Sequence, residues 1–87
     1  MRASAIEQAA AAASDAALST LEIGNRVLRI VDAIEPSISA NIKADITAGT
    51  KLVQAMNAVA TENVKANISG IKNDQLREQI LGRLERA

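Results

Sequence analysis

The sequence predicts an all-α fold: a helical hairpin with a short third C-terminal helix, packing into an oligomeric bundle or coiled coil. Three observations carry that expectation. Aliphatic residues recur at helical intervals from Ile23 to Leu84. The only proline, Pro36, stands between Glu35 and Ser37, and Ser69, Gly70, Asn73 and Asp74 interrupt the pattern a second time. At 87 residues the chain forms a single helical domain, residues 1–87, because chains this short rarely hold more than one core.

Helix one is expected from about residue 5 to residue 34. Between Ile6 and Ile34 the residues favour or tolerate a helix, with Gly24 as the interior breaker. At about 100° per residue, Ile23, Val27, Leu28, Ile30, Val31 and Ile34 share one half of the cylinder. Glu22, Asn25, Arg26, Arg29 and Asp32 fall on the other half, as an amphipathic helix requires. The alanine-rich run Ala9–Ala13 reads as a smooth ridge for tight packing, or as a frayed arm if nothing docks on it.

The Pro36 ring removes a backbone donor and disfavours the α region at Glu35, so a turn is expected at 35–37 with Ser37 capping the next helix. Helix two then runs over about 38–69, with Ile38, Ile42, Ile46, Leu52, Val53, Met56, Val59, Ala60, Val64 and Ile68 on one face. Ile38, Ala40, Ile42, Ala44, Ile46 and Ala48 also alternate as in a strand. Helix is preferred there, because alanine is a poor strand residue and the stripe continues at helical spacing to Val64. Gly70 suits a helix C-cap and Asn73 or Asp74 an N-cap for helix three, about 74–85. Its ridge is Leu76, Ile80, Leu81 and Leu84, and its solvated side is Arg77, Glu78, Arg83, Glu85 and Arg86.

An eleven-residue spacing links Val27, Ile38, Gly49, Ala60 and Ile71, and likewise Val31, Ile42, Val53 and Val64. It stays in phase across Pro36. One long helix kinked at Pro36 in a parallel coiled coil is therefore a rival to the hairpin. Glu35-Pro36-Ser37 joins a restricted residue, a breaker and a cap, which favours the hairpin.

Composition removes several functional classes. Ten basic residues balance ten acidic ones, and aromatic residues are absent, so neither a general field nor stacking platforms recruit nucleic acid. Without histidine or cysteine there is no hydrolytic triad, thiol nucleophile or thiolate metal site, and no cofactor or metal is expected. Asp32 and Glu35 are the acids at helical spacing worth weighing as a pair; they read as a solvated terminus opposing the helix dipole, with Lys43 a candidate to compensate. Ala48-Gly49-Thr50-Lys51 lacks the first glycine of a phosphate loop, and Asn67-Ile68-Ser69 is a chance acceptor sequon. No apolar run approaches a bilayer span and the start is a poor signal peptide. The location expected is cytoplasmic by default, or export without a classical signal.

Asp45, Asn63 and Asn67 fall on or beside the stripe of helix two and are expected at a wet edge, although a buried asparagine can also fix the register of an assembly. Gly24 and Gly49 sit on packing faces where a missing side chain allows close approach. In outline alone, a small aromatic-free hairpin with proline at its turn resembles subunits of secretion needles and other filaments; no motif carries over.

The function expected is non-enzymatic and structural: self-assembly through amphipathic helices into a bundle, ring or filament. Much of the 48% hydrophobic fraction is alanine, which removes little surface from water, so a lone chain has little core to stabilise it. The interface expected is Ile23, Val27, Ile30, Val31, Ile34, Ile38, Ile42, Ile46, Val53, Met56, Val64 and Ile68, with Leu76, Ile80 and Leu84 docking on it or on the next copy. The alternative is an adaptor or small chaperone whose apolar groove receives a helix of a different protein.

Overall fold

Arg2–Ile34 form helix α1, Ala40–Ile68 form α2 and Asp74–Arg86 form α3, with a 3-10 turn at Glu35–Ser37 between the first two. This computed structural model describes residues 2–87, and side chains from residue 5 onward. α1 and α2 pack along each other as an antiparallel hairpin, and α3 folds back against both. The chain reverses after α1, so the single long kinked helix does not form. No strand occurs among the described residues; apart from Ile38, which precedes it, the alternating segment lies in the first turns of α2.

The reversal differs in detail from expectation. Glu35 and Pro36 stay within a right-handed 3-10 turn, since the fixed φ of proline suits a first helical position. Extended backbone comes later, at Ile38 (φ −91°, ψ 136°) and Ser39 (φ −67°, ψ 155°). The cap of α2 is consequently Ser39 rather than Ser37. Its carbonyl accepts from the amides of Ile42 and Lys43 at 3.1 Å, and its side chain makes no capping bond.

The far end of α2 also closes otherwise than expected. Gly70 does not enter the left-handed region, and no glycine with positive φ occurs among the described residues. Instead the Gly70 amide donates to the Asn67 carbonyl and the Ile71 amide to the Ile68 carbonyl, both at 3.0 Å. These short-range bonds tighten the last turn and satisfy carbonyls that would otherwise be orphaned. Asn73 then caps α3, its Oδ1 accepting from the Leu76 amide at 3.0 Å.

The core occupies one end. Leu18, Leu21, Ala60, Val64, Ile71 and Ile80 are buried, and Ala10, Ala11, Ala17, Ile68, Leu76 and Leu84 pack against the cluster that Leu18, Val64, Ile71 and Ile80 form. Of the alanine run only Ala10 and Ala11 pack on this core, while Ala9, Ala12 and Ala13 are exposed. Ser14 is fully buried there, its hydroxyl satisfied by the Ala10 carbonyl at 2.9 Å. Toward the turn no third helix covers the hairpin, and between residues 22 and 56 the one buried position is Gly24. Measured between Cα atoms the molecule spans 57 × 18 × 13 Å, a thin layer of helices whose length exceeds what α3 protects.

Candidate functional site

α1 carries two apolar seams side by side. The first faces α2 and includes Ser14, Leu18, Leu21, Gly24, Leu28 and Val31, all buried or half-buried. The second, one step round the cylinder, runs Ile6, Ala9, Ala13, Ala16, Thr20, Ile23, Val27, Ile30 and Ile34, in strict alternation of three- and four-residue steps. Apart from half-buried Thr20, every member of it is exposed. Such a heptad-spaced seam is the pattern by which one helix receives another.

α2 repeats this arrangement. Ile46, Thr50, Val53, Asn57, Ala60 and Val64 turn toward α1, while Ile42, Asp45, Gly49, Leu52, Met56, Val59, Asn63 and Ala66 form an exposed second row. The two exposed rows share one face of the hairpin. They meet in an open groove of about 630 Å³, lined by Ala13, Ala16 and Thr20 from α1 and by Met56, Val59 and Asn63 from α2. Closer to the turn, Val27 and Val31 line a second hollow with Asp45, Gly49 and Val53.

Ile23, Val27, Ile30 and Ile34, together with Ile42, Leu52, Met56 and Val59, each leave between 40 and 72% of their surface in water. α3 lies on the other side of α1, where it lines a hollow with Ala11, Asp15 and Leu18. Among the described residues nothing covers the apolar face.

The residues expected at an interface therefore divide into distinct surroundings. Ile23, Val27, Ile30, Ile34, Ile42 and Met56 are exposed. Val31, Ile38, Ile46, Val53, Ile68, Leu76 and Leu84 are half-buried, and Val64 and Ile80 are buried within the single chain. Leu52 and Val59 belong to the same exposed face, as their place in the row would have indicated. Leu18 and Leu21 escaped notice because they stand in the alanine-rich stretch.

Polar side chains are arranged to hold the covered side. Arg83, expected in solvent, grips α1: its Nε donates to Glu22 Oε2 at 2.9 Å, and its Nη2 to Glu22 Oε1 at 2.8 Å and Ser19 Oγ at 3.1 Å. Its Nη1 donates to Asp15. The hydrogen bonds from Arg83 hold the Glu22 carboxyl below its ordinary value; burial opposes this, and the charges of Arg83, Arg26 and Arg86 assist. The same carboxylates hold the Arg83 guanidinium more firmly protonated than usual. Lys72 donates its amide to Glu7 Oε1 at 3.1 Å, and Arg77 donates to the Ile71 carbonyl at 3.1 Å while pairing with Asp74. The loop from α2 to α3 is thereby held at Ile71 and Lys72.

Inside the hairpin, the Asn57 amide donates to Asn25 Oδ1 at 2.9 Å. Its own Oδ1 is buried without a hydrogen-bond partner and lies over Gly24. Gly24 is a close-approach glycine, as its place on the packing face suggested. Gly49 is not, since a Cβ there would meet nothing within 4 Å. Asp45 and Asn63 are exposed, and Asn67 returns its amide to the Asn63 carbonyl at 2.8 Å.

Asp32 and Glu35 are exposed near the turn. The lysine that shares a hollow with both is Lys51 of α2, not Lys43. Among the described residues, no cluster of three or more acidic, histidine or cysteine side chains could hold a metal, and no helix is long and apolar enough to cross a membrane.

A family model described as formiminotransferase-cyclodeaminase matches residues 1–86. The chain belongs to that family. Comparison with curated proteins and with solved structures returned no match.

Proposed function

We propose that this member of the formiminotransferase-cyclodeaminase family is a non-enzymatic helical module that self-assembles through its amphipathic helices. The observation supporting this is the one-ended core. Leu18, Val64, Ile71 and Ile80 cluster beneath α3, whereas the turn half of the hairpin leaves its large aliphatic side chains in water. Apolar surface in contact with water is unfavourable in proportion to its area, and association is the simplest way for so thin a layer to remove it.

The family's name describes enzymes, and the chain's own residues argue for a supporting part. It lacks histidine and cysteine, and the carboxylates of Glu22 and Asp15 are engaged by Arg83. Sedimentation over a wide concentration range tests the assembly: a discrete species heavier than one chain is expected, and a monomer at every concentration overturns the reading. Formiminotransferase or cyclodeaminase turnover by the purified chain would overturn the non-enzymatic part separately.

A further inference from the structure

We infer that two copies of this chain dock face to face, each covering the other's exposed rows on the side of the hairpin away from α3. This rests on the self-assembly proposed above and names the surface and the partner. The first argument is area. The large aliphatic residues of this face, each 40 to 72% exposed, present on the order of 800 Å², about the share one partner gives to a standard-size interface. Monomers seldom leave a contiguous apolar patch so large.

The second argument is pattern. Both rows keep the alternating three- and four-residue steps of a coiled-coil seam, so their ridges and holes suit another helical pair of the same spacing. A second copy presents that same spacing. Since α1 and α2 are antiparallel, a twofold axis along the hairpin sets α1 of one copy over α2 of the other, again antiparallel. The product is a four-helix bundle closed by one isologous contact.

The third argument is charge. Among the described residues, Asp45 is the charged side chain of these rows, and it stands toward the turn end of α2. Arg26, Arg29 and Arg86 gather elsewhere, around Glu22. A partner bearing a highly charged face would have to strip those charges of water with only Asp45 to pair them. An identical face brings little charge to strip.

The test uses Leu52→Lys with Val59→Lys. Both positions are largely exposed in the single chain, so the dilute variant should keep the helicity and melting behaviour of the dilute parent. Sedimentation should show its dimerisation weakened by at least roughly a hundredfold, as expected for unpaired charge placed in an apolar contact. Gln79→Lys, on the α3 side, serves as the control that should dimerise like the parent. The chain has no cysteine, so Leu52→Cys gives a single attachment point for a polarity-sensitive dye, whose emission should shift to the blue as concentration rises. A parent that dimerises while the double variant does likewise and the dye stays unmoved overturns this surface but not self-assembly. A parent that remains monomeric overturns both, and leaves the face to a helix of another protein.

Discussion

Gly24 of α1 lies directly under the carboxamide of Asn57 of α2. A Cβ built on Gly24 would meet the Asn57 Cγ at 2.9 Å and overlap its Oδ1. The hydrogen that takes the place of that Cβ points at a buried oxygen with no other partner, an arrangement suited to a Cα–H···O contact. This pairing gives a prediction with a change of sign. Gly24→Ala should destabilise the chain by about 1–2 kcal/mol, overpacking outweighing the gain in helix propensity. In an Asn57→Ala background the same substitution should stabilise, by up to about 1 kcal/mol. Chemical denaturation of the four variants gives both values, and Gly24→Ala having one sign in both backgrounds would refute the contact.

Asn73 holds the start of α3 through its bond to the Leu76 amide. Asn73→Ala should cost about 1 kcal/mol, and Asn73→Asp or Asn73→Ser should recover most of it. The loss should appear first as faster amide exchange in the opening turn of α3. Equal exchange in parent and alanine variant would show that the cap adds nothing beyond the packing of Ile71 and Ile80.

The helices were legible because aliphatic residues at helical spacing leave few alternatives, and because Pro36 and Gly70-Asn73 mark where those runs stop. Which face was buried was less so. Val27 and Leu28, or Ile30 and Val31, are adjacent in sequence and equally apolar, yet Leu28 and Val31 are half-covered by α2 while Val27 and Ile30 are exposed. A broad stripe holds two seams, and which of them meets α2 is fixed by how the hairpin packs. The docking of α3 involves Arg83, whose partners Asp15, Ser19 and Glu22 lie far away in sequence. Periodicity carries no trace of such a long-range clamp, so Arg83 read as a solvated charge. Ser39 displaced Ser37 as a cap for a local reason: proline can open a 3-10 turn as readily as it can end a helix.

Two substitutions of the same chemistry should part company because of that division. Val64 is fully buried in the core of one chain, whereas Ile42 is about half exposed on the uncovered face. Val64→Asp should abolish the fold, since a charge placed there has no partner. Ile42→Asp should leave a dilute chain folded, within about 0.5 kcal/mol of the parent, while weakening association. Circular dichroism below the association range, compared with sedimentation above it, reads the two effects separately. Loss of helicity in the dilute Ile42→Asp chain would place that side chain in the fold of the single molecule.

The bidentate contact between Arg83 and Glu22 sets how acid acts on α3. Glu22 has its carboxyl lowered from the ordinary 4.5, chiefly by the Arg83 hydrogen bonds. A carboxylate with a depressed folded-state value contributes stability that is fully present above the unfolded value and is lost as pH falls through the folded one. The docking of α3 should therefore be unchanged between pH 7 and about 5 on this account, then weaken as acid passes below the ordinary carboxylate value. Glu22→Gln should weaken docking at neutral pH and remove its share of the acid dependence, because no proton is taken up at that position. Arg83→Lys should retain part of the contact and Arg83→Met less, since a lysine offers a point charge and no planar fork, while methionine keeps only the packed stem. Amide exchange along Asp74–Arg86, followed across pH for these variants, should rank the parent above Arg83→Lys and Arg83→Met. If Glu22→Gln loses α3 protection on acidification as steeply as the parent does, another carboxylate governs the acid response and the clamp is not its source.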